Sequence, residues 1–179
     1  IASLHYPNVS LVIDADAPNL IADTPEYLDL LKERNRVFPG MSILTPHPGE
    51  AAHLLNTTAS DVQENRLNAL SDLVGHTNSI VVLKGQHTLI ASPTHQALQC
   101  AEGNPGMAVG GMGDVLTGTI AAIAAQGLHH NLNLWEAGCI GVQLHASAAD
   151  SLVAKQIGPI GLTPSEVILE MRSLLNKLL

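Results

Sequence analysis

The sequence predicts an α/β layered fold, a mainly parallel sheet flanked by helices, in one domain spanning residues 1–179. Two observations carry this. Short aliphatic runs that end in polar residues alternate with helical stretches in the first half, and the last third reads as helix throughout. The composition, 46% hydrophobic in 179 residues, is enough for a substantial core. With only 2% aromatic residues, that core must be built from Ala, Val, Ile and Leu.

Val9 to Ile13 is a β-branched and aliphatic run that ends in Asp14 and Asp16, as a buried strand delivering polar groups at its C-terminal end does. A helix is expected around Pro25 to Arg34. Ser42 to Thr45 predicts a second strand, stopped by Pro46 and Pro48, and Gly49 to Leu55 a short helix. One longer helix is expected over Asp61 to Val74. Ile80 to Leu83 is a third strand, and Thr88 to Ala91 with Ala97 to Cys100 a hairpin around Ser92 and Pro93. A glycine-rich loop from Gly103 leads into a helix from Asp114 to about Gln126, followed by another over Leu134 to Ala154. The last, Thr163 to Leu178, has a capping-box pattern in Thr163 and Glu166, with Pro164 at the first helical position. Its expected apolar face is Val167, Ile168, Met171, Leu174, Leu175 and Leu178.

Several function classes are excluded by the same numbers. A formal charge of −8 with eight Lys plus Arg provides no basic face for a nucleic-acid backbone, and few aromatics no base-stacking surface. No apolar run reaches about 18 uninterrupted residues, so no membrane span is expected. The first ten residues lack a basic region followed by an apolar stretch, so no signal peptide is expected either. Cys100 and Cys139 show neither CxxC spacing nor a disulfide framework, which points to a reducing compartment, the cytoplasm.

The strongest chemical signal is the run Gly103-Asn-Pro-Gly-Met-Ala-Val-Gly-Gly-Met-Gly-Asp114 ahead of an apolar helix. The amides of Gly110, Gly111, Met112 and Gly113 can cradle an anion at the positive end of the helix dipole. Asp114, in the first turn, is placed to accept a proton from a hydroxyl that attacks a phosphoryl group. The competing reading is an ordinary glycine-rich turn with Asp as a cap. Two further strand ends converge with this loop. Leu44-Thr-Pro-His-Pro-Gly-Glu50 presents His47 and Glu50, and Val81-Val-Leu-Lys84-Gly-Gln-His-Thr88 presents groups suited to a nucleotide. Singly, His47 also reads as a turn histidine and Lys84 as a solvated charge.

In this order, TPHPGE, VVLKG followed by a threonine, GNPGMA and GGMGD resemble the ADP- or ATP-dependent NAD(P)H-hydrate dehydratases of the ribokinase-like superfamily. Val12 to Ala17 with Asn19 is similar to that family's DADALN segment, and the similarity covers nearly the whole chain. The resemblance implies a ribokinase-like layered fold and a hydro-lyase that repairs NADH or NADPH hydrate at the expense of ADP or ATP with Mg2+. It implies that Asp114 is the catalytic base and contacts the hydrate, with His47 also on the substrate. Lys84, Gly85, Gln86, His87 and Thr88 would wrap the adenine nucleotide, with Gly113 against it, and Glu50 would organise magnesium. A homo-oligomer, often a tetramer in this family, and an epimerase domain or protein acting on the same substrate are implied as partners. The chain departs from the family at Val109, where Thr or Ser is usual, at Pro18, where Leu is usual, and at His87, where a small residue is usual. The family domain also opens with a further glycine-rich βα segment that is not in these residues, so the chain is expected to correspond to its C-terminal, larger part.

Other polar residues are weaker candidates. His145 and Asp150 are five apart on one expected helix and so not on one face. His129 and His130 are adjacent in a loop, a poor geometry for a metal. Cys139 reads as core, and Glu102 as rim charge. Two rival functions stand beside this one: a kinase of a small alcohol or vitamin precursor, which would use the same GxGD machinery, and, in a different class, a non-catalytic nucleotide-binding module. His47, where sugar and vitamin kinases more commonly carry asparagine, favours the dehydratase.

Overall fold

A computed structural model describes residues 6, 9–127 and 129–178 of the chain. The stretch read for a signal peptide falls largely outside them. Among the described residues five strands form one sheet in the order β1-β2-β3-β4-β5: β1 Leu11–Ile13, β2 Ser42–Leu44, β3 Ile80–Leu83, β4 Leu89–Ser92 and β5 His95–Gln99. β1, β2 and β3 pair in parallel, with Val12 opposite Ile43 and Ile43 opposite Ile80. β4 and β5 add the expected antiparallel hairpin to the three parallel strands, so the sheet is mixed. The physical reason is connection length. Parallel strands need crossovers, whereas the few residues at Gly85–Thr88 and Pro93–Thr94 allow only antiparallel returns.

Alternation along each strand feeds two cores. Leu44, Val81, Leu83, Leu89 and Ala91 face a cluster completed by α1 Asp16–Asp23, α2 Pro25–Val37, α3 Pro48–Leu54, α4 Ala59–Glu64 and α5 Arg66–Thr77. Ile43, Ile80, Val82 and Ile90 face the opposite cluster, closed by α6 Met112–Gly127 and α7 Leu134–Ala154. A third cluster joins α7 to α8, Pro164–Asn176, around Leu152, Val167 and Met171. Helices on both faces of a sheet are the expected layering.

Three expectations about helices change. α1 was not foreseen; Pro18 lies in its first turn, where its missing N–H costs nothing. The single helix expected over Asp61 to Val74 is two, divided at Asn65, whose φ of −139° is not helical and whose side chain caps α5 by accepting from Asn68 N. The capping box of α8 forms as expected, but only part of its apolar face is covered. Val167 and Met171 are buried, whereas Ile168, Leu175 and Leu178 are 49%, 45% and 82% exposed. Among the described residues no helix is long and apolar enough to cross a membrane.

Candidate active site

The C-terminal ends of the three parallel strands point the same way and deliver their next polar residues to one place: Asp14 after β1, Thr45 after β2 and Lys84 after β3. Backbone bonds lock these ends together, with Thr45 N donating to Ile13 O at 3.0 Å and Lys84 N to Pro46 O at 2.9 Å. Lys84 Nζ donates to Asp14 Oδ1 at 2.6 Å and lies 3.9 Å from Glu50 Oε2. Thr117 in α6 donates its hydroxyl to the other oxygen of Asp14. Burial by itself would push the Asp14 carboxyl up, but the bonds from Lys84 and Thr117 outweigh it and hold the group below its ordinary value. Asp14 is thus an anion in a nearly closed cluster.

The start of α6 lies directly over this cluster. A Cβ placed on Gly113 would be 3.3 Å from Lys84 Nζ, so the lysine's charge sits beneath the first turn of the helix. Gly111, at φ +86°, turns the loop into that helix. Of the four amides expected to cradle an anion, that of Met112 already donates to Val109 O, a long bond of 3.4 Å that an anion would have to replace. Asp114 follows in the same turn, exposed and with no side-chain hydrogen bond among the described residues. The loop before it is anchored from behind. Asp150 in α7 accepts from Gly103 N and from Asn104 Nδ2, both at 2.8 Å. The histidine five residues earlier, His145, does not pair with Asp150.

His47 caps α3. Its Nδ1 accepts from the amides of Gly49 and Glu50 at 3.0 and 3.2 Å, which places the ring proton on Nε2. Nε2 lies 3.3 Å from Glu50 Oε1 while more than half of the side chain stays open to solvent. Glu50 is buried, its Oε2 accepting the His47 amide at 2.7 Å in a reciprocal capping box. Three strand ends and one helix start therefore bring together His47, Glu50, Lys84 and Gly113, with Asp114 next in the chain.

The lysine loop is shaped by Arg66 of α5, which donates to Leu83 O at 3.0 Å and to Lys84 O at 3.4 Å. Gly85 has φ +139°, a backbone conformation that favours glycine, and a Cβ there would be 2.8 Å from Arg66 Nη1, which the end of that flexible side chain would have to vacate. Thr88 closes the loop by donating to Gly85 O at 3.0 Å. Gln86 and His87 are exposed at its tip. Lys84 itself is turned inward rather than along this loop, with a side chain only 16% exposed. Any cation that joined the site would be offered the carboxylates of Asp14 and Glu50, which already bracket one positive charge in Lys84. Buried oxygen donors of this kind suit a hard cation that keeps several waters and phosphate oxygens as its other ligands. Among the described residues no cluster of three His, Cys, Asp or Glu could hold a metal alone.

Asp14 and Thr117 were not singled out from the sequence as site residues. The signal that existed for Asp14 was its position at the end of a buried strand. Thr117 gave none, since a threonine one turn into an apolar helix is ordinary.

Residues 2–172 match the profile of the NAD(P)H-hydrate dehydratase family. Over 176 residues the chain is 42% identical to a bifunctional NAD(P)H-hydrate repair enzyme of Vibrio cholerae serotype O1, covering 98% of this chain and 32% of that one. It is 38% identical over 168 residues to an ADP-dependent (S)-NAD(P)H-hydrate dehydratase of Neisseria meningitidis serogroup B, covering 94% of this chain and 54% of that protein. The chain thus spans about a third to a half of the length of these relatives. The ADP/ATP-dependent NAD(P)H-hydrate dehydratase of Bacillus subtilis, crystallised with ATP and Mg2+ and soaked with CoA, superposes with a TM-score of 0.74 at 25% identity, over 94% of this chain and 56% of that one. With its sequence profile, its sheet and its glycine-rich helix start in agreement, this chain belongs to the NAD(P)H-hydrate dehydratase family.

Proposed function

We propose that residues 1–179 form one domain that carries the catalytic and nucleotide-binding parts of an ADP- or ATP-dependent NAD(P)H-hydrate dehydratase. The observation that carries this is the Lys84 ammonium, pinned by Asp14 and lying 3.3 Å from the Cβ position of Gly113, next to an unpartnered Asp114 at the start of α6. A positive charge, a helix N-terminus and a free carboxylate in one turn match what phosphoryl transfer to a hydroxyl requires.

Asp114 takes the proton of the hydroxyl on the hydrated nicotinamide ring as that oxygen attacks the terminal phosphoryl group, and the shortened nucleotide departs. The ring C–O bond then breaks with loss of phosphate. A proton leaves the adjacent carbon and the ring double bond is restored. Phosphate leaves far more readily than hydroxide, which is why a nucleotide is consumed. The amides of Gly110, Gly111 and Gly113 face the phosphoryl oxygens, and that of Met112 joins them if its bond to Val109 gives way. The Nε2–H of His47 donates to the hydrate, and the turn from Lys84 to Thr88 holds the nucleotide. Asp14 and Glu50 would hold magnesium, which supplies charge neutralisation on the phosphates.

The names of the relatives support NAD(P)H hydrate and an adenine nucleotide as the two substrates. Two free cysteines, one buried, support a cytoplasmic setting. The uncovered Ile168 and Leu175 of α8, with Leu178 just beyond it, support a homo-oligomer, for which a tetramer would be one solution, and the bifunctional relative supports a companion epimerase activity. The test adds ADP or ATP to hydrated NADH and follows the return of dihydronicotinamide absorbance. The expected result is recovery with the native protein and a loss of at least a thousandfold with Asp114→Asn while nucleotide affinity is retained. Recovery at a near-native rate in that variant would remove Asp114 from the base role. Accumulation of a stable phosphorylated alcohol instead would make the protein a kinase.

A further inference from the structure

The candidate site is poor in positive charge for a ligand as anionic as a nucleotide. Lys84 faces the carboxylates of Asp14 at 2.6 Å and Glu50 at 3.9 Å, and the carboxylate of Asp114 follows Gly113 in the chain, so one ammonium stands against three carboxylates. A magnesium ion at Asp14 and Glu50 would bring that group of charges only to neutrality. The lysine holds the strand ends together and leaves no surplus for the charge of a polyphosphate.

A second cation stands against the turn that would hold the nucleotide. Arg66 Nη2 donates to Leu83 O at 3.0 Å and to Lys84 O at 3.4 Å, while Nη1 donates to Gln63 Oε1 at 2.9 Å and to Lys84 O at 3.4 Å. Every one of these acceptors is neutral. Among the described residues no carboxylate forms an ion pair with this guanidinium. Burial lowers it from its ordinary value, yet arginine stays charged in proteins. Local stability does not account for the charge. Arg66 is the first residue of α5, at the positive end of a helix whose first turn holds no acidic residue, where a cation is disfavoured. The guanidinium occupies the place where a side chain of Gly85 would stand, with Nη1 2.8 Å from that Cβ position. It is half-buried, and a unit charge partly shielded from water changes the affinity of an anion several ångströms away on the order of tenfold.

We propose that Arg66 is a specificity-determining residue for the nucleotide, whose uncompensated charge at the turn from Lys84 to Thr88 favours nucleoside polyphosphates over monophosphates. The inference rests on the reading of that turn as the nucleotide site. Arg66 acts there in two ways that can be told apart. Its planar fork shapes the turn through the carbonyls of Leu83 and Lys84, which affects every adenine nucleotide alike. Its field acts on the phosphates, and that effect grows with their charge.

The ratio of ATP to AMP affinity isolates the second effect, because any change in the shape or stability of the turn cancels from it. Both nucleotides are titrated calorimetrically into the full chain without magnesium, so that their charges differ fully. The native protein is expected to bind ATP more tightly than AMP. In Arg66→Gln, which keeps a neutral donor for the strand-end carbonyls, the ratio falls by about tenfold. In Arg66→Lys, which keeps the charge and loses the fork, both affinities drop together and the ratio stays within about threefold of native. An unchanged ratio in Arg66→Gln would make Arg66 a support for the turn alone and overturn the proposal, as would a native protein that binds ATP no better than AMP or an Arg66→Lys ratio as low as that of Arg66→Gln. Failure of the native protein to bind either nucleotide, with magnesium or without, would remove the nucleotide reading itself and the proposal with it.

Discussion

Two aspartates at the candidate site do different work, and their surroundings say which. Asp14 is nearly enclosed and holds bonds from Lys84 and Thr117, whereas Asp114 is exposed with its carboxylate unengaged. A base must be free to receive a proton, and a group that fixes a lysine must not be. Breaking the pair leaves a lysine whose side chain is only 16% exposed with the Glu50 carboxylate, 3.9 Å away, as its remaining counter-charge. Asp14→Asn is therefore expected to cost about 2–3 kcal/mol in urea unfolding. A double-mutant cycle with Lys84→Met should return a coupling of about 1–3 kcal/mol, and a coupling near zero would show that Asp14 does not hold the lysine. Asp114 was legible in the sequence because glycines ahead of an apolar helix are a local pattern. Asp14 was half legible, as a strand-end acid, and its partner Thr117 lies 103 positions further on, a distance no spacing rule reaches.

At the scale of elements, α6 and α7 set the site by how closely they approach each other and the sheet. α6 carries the anion cradle, and α7 anchors the loop before it through Asp150. Gly141 of α7 makes the approach possible, since a Cβ there would be 2.7 Å from Ile120 Cγ1 and 3.4 Å from Ile120 Cα. Gly141→Ala is expected to destabilise by about 1–3 kcal/mol because the helices would have to part. Gly118, in the same helix as Ile120 but with nothing within 4 Å of a Cβ, should do the opposite, Gly118→Ala stabilising by about 0.4–1 kcal/mol through the unfolded chain. Urea midpoints of the two variants check both signs. The boundaries of α7 were read correctly from its small and aliphatic run. The division of α4 from α5 was missed, because an asparagine cap inside a polar stretch looks from the sequence like one more helical residue.

For the molecule as a whole, the buried groups make stability depend on pH in a stated direction. His145, 6% exposed in α7 with a backbone hydrogen bond to Met112, is pushed by burial from 6.5 down to about 4. The unfolded chain therefore binds a proton first as the pH falls. The stability tied to a neutral His145 is complete above about 6.5 and is lost as the pH drops towards 4. By pH 5 the loss is about 2 kcal/mol, before the lowered Asp14 begins to contribute below 3.8. His145→Gln should flatten the urea midpoint between pH 7 and 5 relative to the native protein. Equal slopes for the two proteins would assign the acid sensitivity elsewhere.

By itself the sequence determined what is local or periodic: the apolar runs of the strands, the capping box of α8, the hairpin and the glycine-rich loop that opens α6, together with the order of motifs that marks the family. These depend on neighbours a few positions apart, whose spacing is printed in the chain. Only the tertiary structure decided which strand ends meet, that Lys84 turns inward to Asp14 rather than outward, and that His145 is entombed. Those outcomes follow from burial and from charges brought together across the sheet, and desolvation acts on the neighbours a residue has in space, whatever their distance in sequence.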